Sequence, residues 1–255
     1  MTTDVAGLVE AIDRRISCRA FDSLNLSHHA VEVLHAEVQD ACDESGLRFV
    51  LHVFETDGSL LFLSPKMFAG RPPAYVSCVG PDDPIVREKI GYYGERIVLR
   101  ATELGLGSCW VAGTFDRKQT TCEVPEGMKF HDVIPLGTPM ANMPFKQRSI
   151  RKAIRAKSKR PAKLYHGPTS LDAAPRWVRA GIDAVCKAPS AINEQPVVFV
   201  QDALGSPVHA ALPHVRHGLE HTDLGIAKLH FELAAGAQGA PGWWEWGADG
   251  IYVLD

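Results

Sequence analysis

The chain has 255 residues, enough to bury a substantial core as one large domain or two small ones. With 45% hydrophobic, 22% charged and 8% aromatic residues it lies far from disordered and fibrous classes, and a formal net charge of −3 gives no global attraction to nucleic acid or anionic membrane. No apolar run reaches the roughly 18 residues of a transmembrane helix, and the six cysteines form no CxxC pair behind a signal-peptide pattern, so a soluble, cytoplasmic protein with reduced thiols is expected.

From Ser27, a good N-cap, the spacing of Val31, Leu34, Val38 and Ala41 predicts an amphipathic helix. A strand follows over Arg48 to Glu55, closed by the turn Thr56-Asp57-Gly58-Ser59, and a short buried strand over Ala74 to Gly80. Asp83-Pro84 opens a long helix that Gly91 and Gly94 interrupt weakly and Gly105 terminates. Cys109 to Gly113 reads as a strand running into a loop, and Asp132 to Gly137 as a further strand.

Between Lys146 and Lys163 stand nine Lys or Arg residues and no acid, a charge run that divides the sequence. Beyond it an amphipathic helix carries Trp177, Gly181, Ala184 and Val185, followed by a strand over Gln195 to Val200. A second helix from Thr222 carries Leu224, Ala227, Phe231 and Ala234, and the chain closes on Trp243-Trp244-Glu245-Trp246 and a last strand. Val31 to Val53 superimposes without a gap on Val178 to Val200, and the segment from Gly94 resembles that from Gly225, as two diverged copies of one unit would. The expected division is 1–165 and 166–255.

Three segments are candidates for chemistry. Arg15, Ser17 and Arg19 form a run suited to charge-assisted bonds with a phosphate, although arginines near a helix end are usually just solvated. In Pro189 to Pro196, two prolines bracket Ser190, Asn193 and Gln195; these either face a planar heterocycle or satisfy their own turn, and spacing alone favours the turn. Gly105 to Gly113 has little side-chain bulk, so its backbone N–H groups can approach a ligand closely, though a glycine-ended helix is common. The basic run reads as a solvated linker, a linker lending charge to a phosphate or, least favoured, an RNA-binding tail. His214, His217 and His221 lack companions for a metal site, and no catalytic side-chain constellation is visible.

Taken in order, these pieces resemble the nitroreductase family of FMN enzymes. The Arg-x-Ser-x-Arg-x-Phe run is matched by Arg15, Ser17, Arg19 and Phe21; the Pro-Ser-x-x-Asn-x-Gln-Pro loop by Pro189, Ser190, Asn193, Gln195 and Pro196; and the Leu-Gly-x-Pro by Leu136, Gly137 and Pro139. Lys159, Arg160 and Pro161 look like the family's closing basic phosphate contact. The resemblance implies an α+β, nitroreductase-like fold with mixed or antiparallel sheets covered by helices. The Pro-Ser loop stands late in this chain, not early, which implies two related half-units fused as a pseudo-dimer around one FMN. On that reading Arg15, Ser17, Arg19, Val111, Ala112, Gly113 and Arg160 come from the first half, and Pro189, Ser190, Asn193 and Gln195 from the second. NADH or NADPH would reduce FMN, and an electron-poor small molecule such as a nitroaromatic or quinone would reoxidise it. The pseudo-dimer would act as a monomer or associate further, with no nucleic-acid or membrane partner. Flavin binding without efficient turnover is the alternative, and a relative that binds no flavin is a second.

Overall fold

The computed structural model describes residues 5–53, 67–116, 122–155 and 158–255. They form two compact units: a terminal unit of Met1–Asp13, Asp83–Glu95 and Ile154–Asp255, and a central unit of Arg14–Asp82 and Arg96–Ala153. Helices combined with antiparallel and mixed sheets make the fold α+β, as the resemblance implies.

In the central unit, the Ser27 hydroxyl accepts from Ala30 N at 3.2 Å and opens α2 (His28–Ser45), which buries Leu34, Val38 and Ala41 and ends at Gly46, φ 70°. The helix that precedes it in the chain, α1 (Val5–Arg14), belongs mostly to the terminal unit and was not anticipated. The four-stranded antiparallel sheet has the order β1 (Arg48–Val53), β2 (Ala74–Gly80), β4 (Lys129–Gly137), β3 (Gly107–Ser108). All of β2 is buried, Ser77 included, as expected of a mainly apolar strand covered on both faces. The predicted turn Thr56-Asp57-Gly58-Ser59 lies outside the described residues.

Two expectations change here. The strand expected at Cys109 to Gly113 is instead the two-residue β3 just before it, held on the end of β4 through Gly107↔Gly137 and Ser108↔Leu136. Residues 109–113 are a loop with one isolated bridge, Val111↔Val133. The basic run, read as a linker or tail, begins as a helix, α4 (Phe145–Arg155); its Gln147 is buried and donates to Met67 O at 3.1 Å.

The long helix α3 (Pro84–Glu103) starts as predicted, with Asp83 Oδ1 accepting from Ile85 N and Val86 N at 2.8 and 3.2 Å. Within the terminal unit its first half packs on α6 (Leu219–Gly236) at a close crossing. A Cβ at Gly225 would stand 1.8 Å from Glu88 O, and one at Gly91 2.0 Å from Thr222 O, so both glycines are required by backbone approach. The crossing also holds a buried ion pair and a buried histidine–carboxylate hydrogen bond. Lys228 Nζ meets Glu88 Oε1 at 2.5 Å and donates to Glu245 O and Gly247 O at 2.8 and 2.9 Å, while Glu88 Oε2 accepts from Gly247 N at 2.7 Å. His230 binds Ala184 O through Nδ1 and Glu95 through Nε2.

The rest of the terminal core joins α6 to α5 (Arg176–Val185), to a three-stranded sheet of β5 (Tyr165–His166), β6 (Val198–Val200) and β7 (His209–Ala211), and to the hairpin of β8 (Gly242–Trp244) and β9 (Tyr252–Leu254). Phe231 stacks on Phe199 at 5.0 Å and meets Trp244 and Tyr252 edge-on at 5.3 and 5.4 Å. Among the described residues no helix is long and apolar enough to cross a membrane.

Candidate functional site

The candidate residues fall into two sets, one in each unit. In the central unit, Arg15, Ser17 and Arg19 alternate along an extended segment, so their side chains share one face while Cys18 and Ala20 point into the core. Backbone bonds fix the segment. Ser17 pairs with Ser108 in a parallel bridge, Cys18 N donates to Ser108 O at 2.7 Å, Ala69 N to Arg19 O at 2.8 Å and Phe21 N to Ala69 O at 2.9 Å. Fully buried Phe21 anchors the end.

The same bonds lay the arginine run beside the glycine-rich segment, because Ser108 belongs to it. Burial pushes the neighbouring Cys109 thiol up, and the positive charges of Arg19 and Arg15 oppose that rise. Both guanidinium groups are therefore electrostatically close to this loop. Val111 is locked to Val133 by reciprocal N–H to O bonds of 3.0 Å, so the half-buried Ala112 and the exposed Gly113 emerge from a fixed point. A Cβ at Gly113 would meet nothing within 4 Å, which leaves open space beside that backbone.

In the terminal unit, Pro189 to Gln195 links α5 to β6. Positive φ at Ile192 (45°), Asn193 (59°) and Gln195 (46°), none of them glycine, marks a backbone held against its preference. The Ser190 hydroxyl accepts from Gln195 N at 2.9 Å. The buried Gln195 amide spans two segments, its Oε1 accepting from Lys159 N at 2.6 Å and its Nε2 donating to Cys186 O at 3.3 Å. Lys159 Nζ donates to Gln195 O at 2.8 Å, and Asn193 Nδ2 to Ser158 Oγ at 3.1 Å. Much of the loop's polar capacity thus serves its own geometry, the arrangement that spacing alone favours. Arg160, at the start of a 3-10 turn over Pro161–Lys163, is exposed next to Lys159.

Asp223 was missed by sequence reasoning. Its buried carboxylate, on α6, accepts from Ala191 N at 3.0 and 3.2 Å and lines a shallow recess with Pro189, Ser190, Gln195 and Ala227. The available signal was an acid adjoining Leu224 in the stripe that α6 turns inward. Among the described residues no cluster of His, Cys, Asp or Glu could hold a metal ion.

A family model described as "Putative TM nitroreductase" matches residues 7–235. The crystal structure of a "putative nitroreductase" from Thermotoga maritima is similar over 97% of this chain and 92% of its own, at 17% identity and a TM-score of 0.63, a likeness of fold. An "FMN-dependent nitroreductase" from Clostridium difficile is similar over 52% of this chain and 88% of its own, at 17% identity and a TM-score of 0.41. A nitroreductase with bound FMN from Bacteroides fragilis covers 56% of this chain and 92% of its own, at 18% identity and a TM-score of 0.40. No curated protein matches the sequence.

Proposed function

The chain belongs to this nitroreductase family, and from that membership we propose that it is an FMN-dependent oxidoreductase using NADH or NADPH to reduce a nitroaromatic, quinone or similar electron-poor acceptor. The observation that carries the reading is the shared face of Arg15, Ser17 and Arg19, laid by backbone bonds beside the glycine-rich loop. That pairing of two guanidinium groups and a hydroxyl fits a phosphate, with arginine forks able to make charge-assisted, bidentate bonds.

When bound, FMN supplies the hydride transfer itself. The chain's residues bind and orient it. Arg15, Ser17 and Arg19 would hold the phosphate, with Arg160 as a further cation. Val111, Ala112 and Gly113, with little side-chain bulk, would let a flavin ring come close to the backbone. Pro189 and Gln195 set the shape of the second loop, whose Ser190 and Asn193 would supply polar groups to the flavin. The assignment of 1–165 and 166–255 as fused, related halves is part of this proposal and rests on the repeat in the sequence. Ala112, in the glycine-rich loop, carries no ionisable side chain to donate a proton.

That same feature favours a second reading, flavin binding without efficient turnover. Steady-state oxidation of NADH and NADPH by the FMN-loaded protein separates the two. Acceptor-dependent turnover supports the oxidoreductase, whereas bound flavin that neither donor reduces supports the binding protein.

A further inference from the structure

Outside the candidate flavin residues, one face of the central sheet joins a thiol, a hydroxyl and an imidazole. Cys122 Sγ donates to Ser77 Oγ at 3.2 Å, and the same oxygen lies 3.1 Å from His52 Nε2. The strands explain the meeting. β1 and β2 pair with His52 opposite Tyr75 and Val50 opposite Ser77, so alternate residues bring His52, Tyr75 and Ser77 to one face. The His52 ring is stacked on Tyr75 at 4.3 Å with 12° between planes, which fixes the direction of Nε2. Ser77 is fully buried, and Cys122 and His52 are half-buried.

We propose that Cys122 is a nucleophilic thiol that adds to soft electrophiles of the α,β-unsaturated carbonyl class, with His52 acting as its base through Ser77. The thiol proton passes to Ser77 Oγ as the Ser77 proton passes to His52 Nε2. The sulfur forms a bond to the electrophile's β-carbon, the carbon–carbon π electrons move toward the carbonyl, and the α-carbon then takes a proton from water. His52 returns its proton to solvent. The net change is addition of S–H across the double bond, with no oxidant or reductant.

The surroundings suit a base at neutral pH. Burial, followed by the positive charge of Arg48 on the same strand, holds the His52 imidazole below its ordinary range, so it is neutral and able to accept. On the face of β2 that carries Ser77 the titratable neighbour of His52 is Tyr75, while Cys78 and its β4 partner Asp132 lie on the opposite face. The other thiols are placed differently. Cys18, Cys78 and Cys109 are buried. The Cys42 sulfur is engaged with Phe49 N and O, and burial pushes its thiol up. Burial pushes the Cys186 thiol up to about 11. The shortest contact of Cys122 leads to a base, its other acceptor, Glu123 O, standing at 3.7 Å.

The test is timed labelling of the whole protein with N-ethylmaleimide, read cysteine by cysteine by peptide mass spectrometry. Cys122 is expected to react first, and Ser77→Ala and His52→Gln each to slow it about tenfold or more at neutral pH. A merely structural role of Ser77 would loosen the segment and speed labelling. Wild-type protein alone gives a second readout: the relay predicts a nearly flat rate for Cys122 from about pH 6.5 to 8, whereas an unassisted thiol gains about tenfold per pH unit. Cys122 reacting no faster than Cys42 or Cys186, an undiminished rate in Ser77→Ala, or the unassisted pH profile would each overturn the proposal.

Discussion

The two candidate segments are held in opposite ways. From Arg15 to Arg19 the backbone does the holding, through bonds to Ser108 and Ala69, and the alternate side chains project from a fixed edge. From Pro189 to Gln195 the side chains do the holding: Ser190, Asn193 and Gln195 bond within the loop and to Ser158, Lys159 and Cys186, with Asp223 fastening Ala191. The lesson is that polar residues in a motif are not equivalent. In the first segment a substitution should alter ligand binding and leave the fold intact, while in the second it should alter the fold before the ligand is reached.

The contrast can be broken in several places. The largest effect is expected at the frame of the second loop, where Lys228 ties α6 to Glu88 and to the hairpin. Lys228→Ala strands a buried carboxylate and should destabilise the protein by about 3–5 kcal/mol, with Glu88→Gln/Lys228→Met recovering much of the loss. Urea unfolding midpoints read both, and an unchanged midpoint for Lys228→Ala would show that the pair does not frame α6. Next comes Gln195→Ala, which removes two buried amide bonds and should lower stability by about 2–3 kcal/mol in the same assay.

Arg19→Ala is the counterpart in the first segment. It should weaken FMN binding by about 1.5–3 kcal/mol while moving the unfolding free energy by no more than about 0.5 kcal/mol. A large stability loss there would erase the distinction between the segments.

The smallest effect concerns the start of α6, ahead of Asp223. The Glu220 carboxylate accepts from Arg216 N at 2.8 Å and His217 N at 3.1 Å. Burial alone would raise its pKa, but these backbone bonds and the nearby His217 outweigh burial and hold it below the usual carboxylate range. A depressed folded-state value means that the stability is complete above the unfolded carboxylate range and is lost as pH falls through the folded value. Glu220→Gln should cost about 1 kcal/mol near neutrality and should flatten the acid side of a thermal-melting profile. An unaltered acid limb would remove Glu220 from this role.

The parts of the molecule legible in the sequence were those specified locally. Ser27 and Asp83-Pro84 announced their helices because a cap and a fixed φ act within one turn, and β2 was found residue for residue as a continuous buried run. The illegible parts were set at a distance. Gly91 reads as a weak helix interruption and Gly225 only as the start of a repeated segment, yet each is where the backbone of another helix passes. α4 was hidden by its charges, which obscured the inward Gln147. The strand expected from Gln195 begins only at Val198, since Gln195 has positive φ and Pro196 has no N–H to donate. Within the candidate site the motif residues stood out by type, but the clasp of Asp223 on Ala191 joins residues 32 apart and leaves no local pattern.

The central claim, a flavin held by these residues, is tested most directly by titrating purified apoprotein with FMN and following flavin fluorescence. Quenching that breaks at one FMN per chain is predicted, and no quenching at any ratio would contradict the flavin reading.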